Sequence, residues 1–229
     1  MTIKTYPDII QGTDEWHELR NGILTASEVK LITTIKTLKI AANDKQRAHV
    51  NEIAAQRISG FTEEAYVSDD MLRGTADEVV SRGLYSENYS PVDECGFITN
   101  DKWGFVIGYS TDGEVGDDGL IEIKSRRQKF QVLTIASDEV PEEYMLQIQT
   151  GLLVTGRKWC DFISYSEGLP MFTKRVLPDE KIQSAIVAAA ESFEKGVVEV
   201  VGKYEAALKK PNARLIKTER HTDEGDTIL

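Results

Sequence analysis

The chain of 229 residues has only two cysteines, six prolines, three histidines and three tryptophans. Cys95 and Cys160 are too few and too far apart for a disulfide framework or a thiolate zinc site, so reduced, partly buried thiols are expected. His17, His49 and His221 lack zinc-ligand spacing, and no Ser-His-Asp or Cys-His pattern suggests a covalent nucleophile. No apolar run approaches the roughly 20 residues that span a bilayer. The N-terminus "MTIKTYPDIIQGTDEW" has no basic region followed by an apolar segment. These absences point to a soluble cytoplasmic protein with no membrane partner. Positive charge is also scarce: 27 Lys and Arg stand against 38 Asp and Glu, for a net charge of −11. That balance excludes a uniformly basic nucleic-acid surface. It does not exclude a local one, because bases cluster in "KSRRQK" and "KKPNARLIKTER", and acids in "GEVGDDG", "SDEVPEEY" and "HTDEGDTIL".

What is present is enough apolar residue, 41%, for one sizeable core. Capping residues and apolar spacing predict helices over 13–22, 25–34, 45–59 and 71–85, the last with a stripe of Leu72, Ala76, Val79, Val80 and Leu84 and with Glu78 near its middle. Composition then turns β-rich in "VDECGFIT", "WGFVIGYST", "GLIEIKS", "WCDFISYS" and "MFTKRVL". Helices are expected at 127–136 and 141–156, and a long amphipathic one over 178–208, interrupted near Gly196 and Gly202. The fold class is α/β (α+β), a central mixed β-sheet flanked by helices. A single domain over 1–211 would be followed by a flexible acidic tail, 212–229.

The stretch "IEIK", Ile121 to Lys124, raises a chemical question. Strand alternation puts Ile121 and Ile123 on one face and Glu122 with Lys124 on the other. A solvent-side ion pair is the plain reading of an E-x-K and contributes little to stability. The neighbourhood favours another reading, since Asp112 closes the preceding β run and a Gly-rich turn returns the chain into "LIEIK", which sets Asp112 beside Glu122. Two carboxylates a few ångströms apart repel unless a hard cation lies between them, and oxygen ligands of this kind suit Mg²⁺ or, as a substitute, Mn²⁺. With a lysine alongside, the set suits metal-assisted phosphodiester hydrolysis. Asp117 and Asp118, in the turn, read as solvated loop residues, and Met145 and Leu146 as core.

The spacing D-x₉-E-x-K resembles the signature of the PD-(D/E)xK nuclease superfamily, whose core is restriction-endonuclease-like. With it, "EWHELRNGILTASEV", "RGTADE", "STDG" and "YMLQIQTGLLVTG" stand in the order found in lambda-type phage recombination exonucleases, the YqaJ-like viral recombinases. The resemblance covers roughly 14–165. It implies that Asp112, Glu122 and the backbone carbonyl of Ile123 hold the metal and that Lys124 is the catalytic lysine. Glu78 would complete the acidic cluster, and Gln147 would hold the attacking water or a phosphate oxygen. Arg20 and Ser27 would bind a terminal 5′-phosphate. Rival readings of the residues remain: Glu78 on a solvated face beside Asp77, Gln149 in place of Gln147, Arg20 paired with Asp14 or Glu15, and Trp16 as core. Thr111 stands where many relatives have proline, and Gly151 where some have an aromatic residue.

The resemblance further implies a Mg²⁺-dependent 5′-to-3′ exonuclease on linear double-stranded DNA. It would leave 3′ single-stranded tails for strand annealing, work as a homotrimeric ring and hand the strand to an annealing protein. A ring would reconcile a basic lumen with an acidic exterior. The alternatives are a structure- or sequence-specific endonuclease of the same superfamily, and a non-catalytic binding protein or DNA mimic.

Overall fold

The computed structural model describes residues 2–63 and 68–220. The distal part of the expected tail, 221–229, with His221, lies outside them. In chain order the elements are β1 (Ile3–Tyr6), α1 (Asp14–Arg20), β2 (Leu24–Thr25), α2 (Asp44–Ser59), α3 (Asp69–Asn88), β3 (Phe97–Asn100), β4 (Ile107–Tyr109), β5 (Gly113–Val115), β6 (Gly119–Ser125), α4 (Gln128–Ser137), α5 (Glu142–Thr155), β7 (Trp159–Tyr165), β8 (Phe172–Val176) and α6 (Glu180–Leu208).

The strands form two mixed four-stranded sheets, ordered β1-β3-β4-β2 and β5-β6-β7-β8. The chain passes from β4 in one sheet to β5 in the other with only Ser110, Thr111 and Asp112 between them. β6 runs antiparallel to β5 and parallel to β7. A parallel neighbour requires a crossover connection, and α4 and α5 supply it. This is the mixed α/β class read from the sequence.

β6 is buried from Gly119 through Ile123. Ile121 and Ile123 pack with Tyr85 of α3, Val115 and Ile163, while Leu120 joins Tyr109, Leu146 and Phe162 in the main cluster. Burial of side chains of this size contributes roughly 1.5–3 kcal/mol each. The strand is therefore a rigid platform, and α3 and α5 flank its opposite faces.

Local chemistry explains most boundaries. The Asn43 side chain accepts the Gln46 amide at 3.0 Å to open α2, and Gly60, at φ 79°, closes it. Gly156, at φ 71°, closes α5. The left-handed conformation is open to glycine without the Cβ penalty.

Four expectations change. Residues 25–34 are not an α-helix: Leu24–Thr25 pairs with β4, and Ala26–Leu31 is a 3₁₀ turn. α6 runs through Gly196 and Gly202 without a break. Its Ile186, Ala189, Ala190, Phe193 and Val197 are buried in the cluster that includes Val50, Ile53 and Ala54 of α2, and that packing outweighs the roughly 1 kcal/mol penalty per helical glycine. β5 lies within what reads as a Gly-rich turn. The apolar stripe of α3 faces outward, with Leu72 61% and Val79 63% exposed, whereas Ser81 and Tyr85 are buried. The helix turns its polar side to the sheet, where Asp77 is engaged: the Ser125 hydroxyl donates to Asp77 at 2.5 Å.

Candidate active site

β5 stops opposite Ile121, with Gly113 paired to it. One step further along the same register, Asp112 faces Glu122 across an edge that no strand occupies. The Ile123 amide points to that edge and donates to the Asp112 carboxylate at 2.6 Å. In an extended strand the N–H and C=O of one residue project to the same side, so the Ile123 carbonyl faces the same edge.

Glu122 is fully buried, at 0% exposure. Three donors converge on it: Lys124 at 2.6 Å and the Gln147 amide at 2.5 Å on Oε1, and the Tyr109 hydroxyl at 3.0 Å on Oε2. Strand alternation thus produces the shared face of Glu122 and Lys124 expected from "IEIK", but on the core side rather than the solvent side. Gly151 of α5 makes room for this arrangement. A Cβ there would come within 2.7 Å of the Tyr109 ring, so the glycine lets Tyr109 lie against the helix with its hydroxyl on Glu122.

Electrostatics follow from this crowding. Burial, then the charge of Glu122, pushes the Asp112 carboxyl well above the usual range, with Lys124 pulling the other way. Burial also raises Glu78, against the pull of Arg82 and Lys124. For Lys124, burial works against the ammonium, but Glu122 and Asp112 outweigh it and hold its pKa above the ordinary lysine value. Asp112, Glu122 and Glu78 thus crowd around the Lys124 ammonium, with the Arg82 guanidinium paired to Glu78. Among the described residues no three His, Cys, Asp or Glu side chains close into a ready-made metal cage. Mg²⁺ usually takes one or two carboxylates and keeps waters for the rest, and a pair of carboxylates with a free carbonyl at an open edge matches that habit.

Glu78 pairs with Arg82, one turn along α3, and is 28% exposed. It lies at the site and not on the opposite, solvated face. Gln147 points to Glu122, whereas Gln149 is 1% exposed and serves structure: its amide donates to Leu177 O at 2.8 Å, and its carbonyl accepts the Asp179 amide at 2.8 Å. Gln147 thus reaches the carboxylate of Glu122, and Gln149 lies under the start of α6.

Arg20 and Ser27 line a cavity of about 170 Å³ that Asp112 and Gln147 also line. Arg20 donates to the Ser110 hydroxyl at 2.8 Å and to Thr25 Oγ1 at 3.3 Å, and lies over the Trp16 ring at 4.1 Å. Neither Asp14 nor Glu15 is the partner in these contacts. Burial lowers the Arg20 pKa and Glu28 raises it; a guanidinium stays charged regardless. Trp16 is half-buried in the cavity wall, its indole N–H donating to Ser110 at 3.1 Å, so it is not core. Ser27 lies in a 3₁₀ turn of six residues, which adds little dipole, so the positive charge at this cavity comes from Arg20. Tyr109 and Ser110 are not among the site residues expected from the sequence; Ser110 opens "STDG" and Tyr109 precedes it, and only their contacts with Glu122 and Arg20 identify them.

Thr111 does the work of the absent proline. Its hydroxyl donates to Gly113 O at 2.9 Å and accepts the Gly113 amide at 3.1 Å, while Gln11 donates to its carbonyl at 2.8 Å. Cys95 and Cys160 are free and buried. Among the described residues no helix is long and apolar enough to cross a membrane.

The YqaJ-like viral recombinase domain matches residues 15–158. No curated protein matches the chain. Among solved structures, an alkaline exonuclease from Laribacter hongkongensis, LHK-Exo, is 31% identical with a TM-score of 0.71, covering 86% of this chain and 100% of that one. LHK-Exo in complex with dAMP is 32% identical with a TM-score of 0.71, covering 85% and 99%. A phage-related exonuclease from Haemophilus somnus 129PT shares the fold at 13% identity, with a TM-score of 0.56, covering 80% and 96%. The fold is that of the PD-(D/E)xK nucleases, and the chain, a DNA exonuclease, belongs to the YqaJ-like viral recombinase family.

Proposed function

We propose that the protein is a Mg²⁺-dependent exonuclease that degrades the 5′-ended strand of linear double-stranded DNA and leaves a 3′ single-stranded tail for phage-type recombination. The observation that carries this reading is that Arg20, Thr25, Ser27 and Ser110 line the same cavity as Asp112 and Gln147. A strand end whose 5′-phosphate is held by the arginine and hydroxyls would present a phosphodiester to the carboxylates in that cavity. A relative captured with dAMP, a deoxynucleoside monophosphate, is consistent with a product of that class.

Asp112, Glu122 and the Ile123 carbonyl would hold the ion, with Mn²⁺ as a substitute and Glu78 in support. Mg²⁺ bound there supplies polarisation of the phosphoryl oxygen and a more acidic water. Gln147 orients the attacking water or a phosphate oxygen. Lys124, charged in the free site, neutralises developing charge on the phosphate. In its neutral form Lys124 would be placed to accept a proton from the attacking water. Arg20 and Ser27 fix the 5′ end. We assign the nuclease to 1–211 with 212–229 as a tail, acting as a homotrimer in the cytoplasm and delivering its strand to an annealing protein.

The test is a linear duplex with a 5′-phosphate on one strand and a 5′-hydroxyl on the other, alongside a closed circle. Metal-dependent loss of the phosphorylated strand first, with the circle intact, is expected. Degradation from 3′ ends, or cutting of the circle, would contradict the reading.

A further inference from the structure

We propose that Arg82 is a positioning residue that holds the Asp112 carboxylate in its metal-binding place. This inference rests on the assignment of Asp112 as a ligand. Arg82 sits on α3, yet its guanidinium reaches three separate pieces of chain. Its Nε donates to the Asp112 backbone carbonyl at 2.8 Å, Nη2 pairs with Glu78, and Nη1 lies 2.9 Å from Glu94 Oε2. The planar fork makes all three contacts at once, which a lysine ammonium on a flexible stem cannot reproduce.

The location gives these contacts their consequence. Asp112 falls between β4 and β5, so its peptide lies in the link between the two sheets and no ladder is there to hold its carbonyl. The neighbouring turn is fastened from the other side, by Thr111 to Gly113 and by Gln11 to the Thr111 carbonyl. Arg82 is the fastening on Asp112 itself. With that carbonyl released, the peptide can rotate, and the carboxylate leaves the Ile123 amide and the open edge beside Glu122. Because Arg82 also neutralises Glu78, its loss sets one more uncompensated carboxylate at the site.

Two measurements on the metal-free and metal-titrated protein test this. The first is amide hydrogen exchange at Ile123, whose N–H is given to Asp112. In Arg82→Ala its protection should fall by about tenfold, while Leu120 and Phe162, within the β6–β7 ladder, keep theirs. The second is Mn²⁺ binding by calorimetry, which should weaken by about tenfold to a hundredfold in the same variant, the range for residues that orient a ligand. Asp112→Ala should remove the binding. Arg82→Lys, which keeps the cation but not the fork, should show both losses to a smaller degree and carries the test if the alanine variant does not fold. Unchanged Ile123 protection, or unchanged Mn²⁺ affinity, in the Arg82 variants overturns the proposal. A wild-type protein that binds Mn²⁺ no better than Asp112→Ala overturns the metal assignment itself, and with it this role of Arg82.

Discussion

Lys124 Nζ lies 2.6 Å from Glu122 Oε1, and the same oxygen accepts the Gln147 amide at 2.5 Å. A fully buried carboxylate is thus hydrogen-bonded by donors from its own strand and from α5. The ammonium between Glu122 and Asp112 partly offsets a repulsion that a divalent cation would offset more completely. Crowding Asp112 against Glu122 carries an electrostatic penalty in the metal-free protein.

That penalty has a sign that can be measured. The Asp112 carboxyl is raised above the usual range by burial and by Glu122. The folded state therefore keeps its proton at pH values where the unfolded chain has lost it. Stability falls as pH rises from the usual carboxylate range through the raised pKa, and Asp112→Asn escapes that loss. Without divalent cations at neutral pH, this variant should unfold at a higher temperature, with a gain on the order of 1 kcal/mol. The gap should close as the pH is lowered to the usual carboxylate range. A lower melting temperature at neutral pH would contradict the electrostatic account.

The two glutamines of α5 should separate activity from stability. Gln147→Ala removes a donor to Glu122 and should reduce cleavage by roughly tenfold or more with little change in melting temperature. Gln149→Ala leaves the Leu177 carbonyl and the Asp179 amide without their partner and should cost about 1–3 kcal/mol. Urea denaturation and initial rates on linear duplex distinguish the two; the opposite assignment of effects would reverse the register.

Arg20→Ala removes the guanidinium that lines the cavity. Charge-assisted hydrogen bonds contribute about 1.5–3 kcal/mol, so the preference for 5′-phosphorylated over 5′-hydroxyl ends should drop by roughly tenfold to a hundredfold. Rates on the two substrates under subsaturating conditions report it, and a preference equal to that of the wild type removes Arg20 from the pocket.

The sequence made the centre of the site readable because strand alternation and a short return turn are local rules: "IEIK" and Asp112 needed only period two and one hairpin. It gave less at the edges. β1 is an exposed edge strand with no alternation to betray it, and β5 is three residues long inside a glycine-rich turn. The stripe on α3 was legible as a stripe, but periodicity states that a face is apolar, not which neighbour it meets. There, contacts of Asp77 with Ser125 and of Tyr85 with Asp161 mark the face that meets the sheet. Tyr109, Ser110 and Arg82 enter the site through registry between distant segments, which no spacing within one segment encodes.

The most direct measurement is nucleotide release from a 5′-phosphorylated linear duplex in Mg²⁺ by the wild type and by Glu122→Ala, with melting temperature and duplex-end affinity measured on both. The expected result is a loss of about a thousandfold or more in rate, with the fold and end binding preserved through Arg20 and its hydroxyl partners. Cleavage by Glu122→Ala at a rate close to that of the wild type would show that the chemistry lies elsewhere.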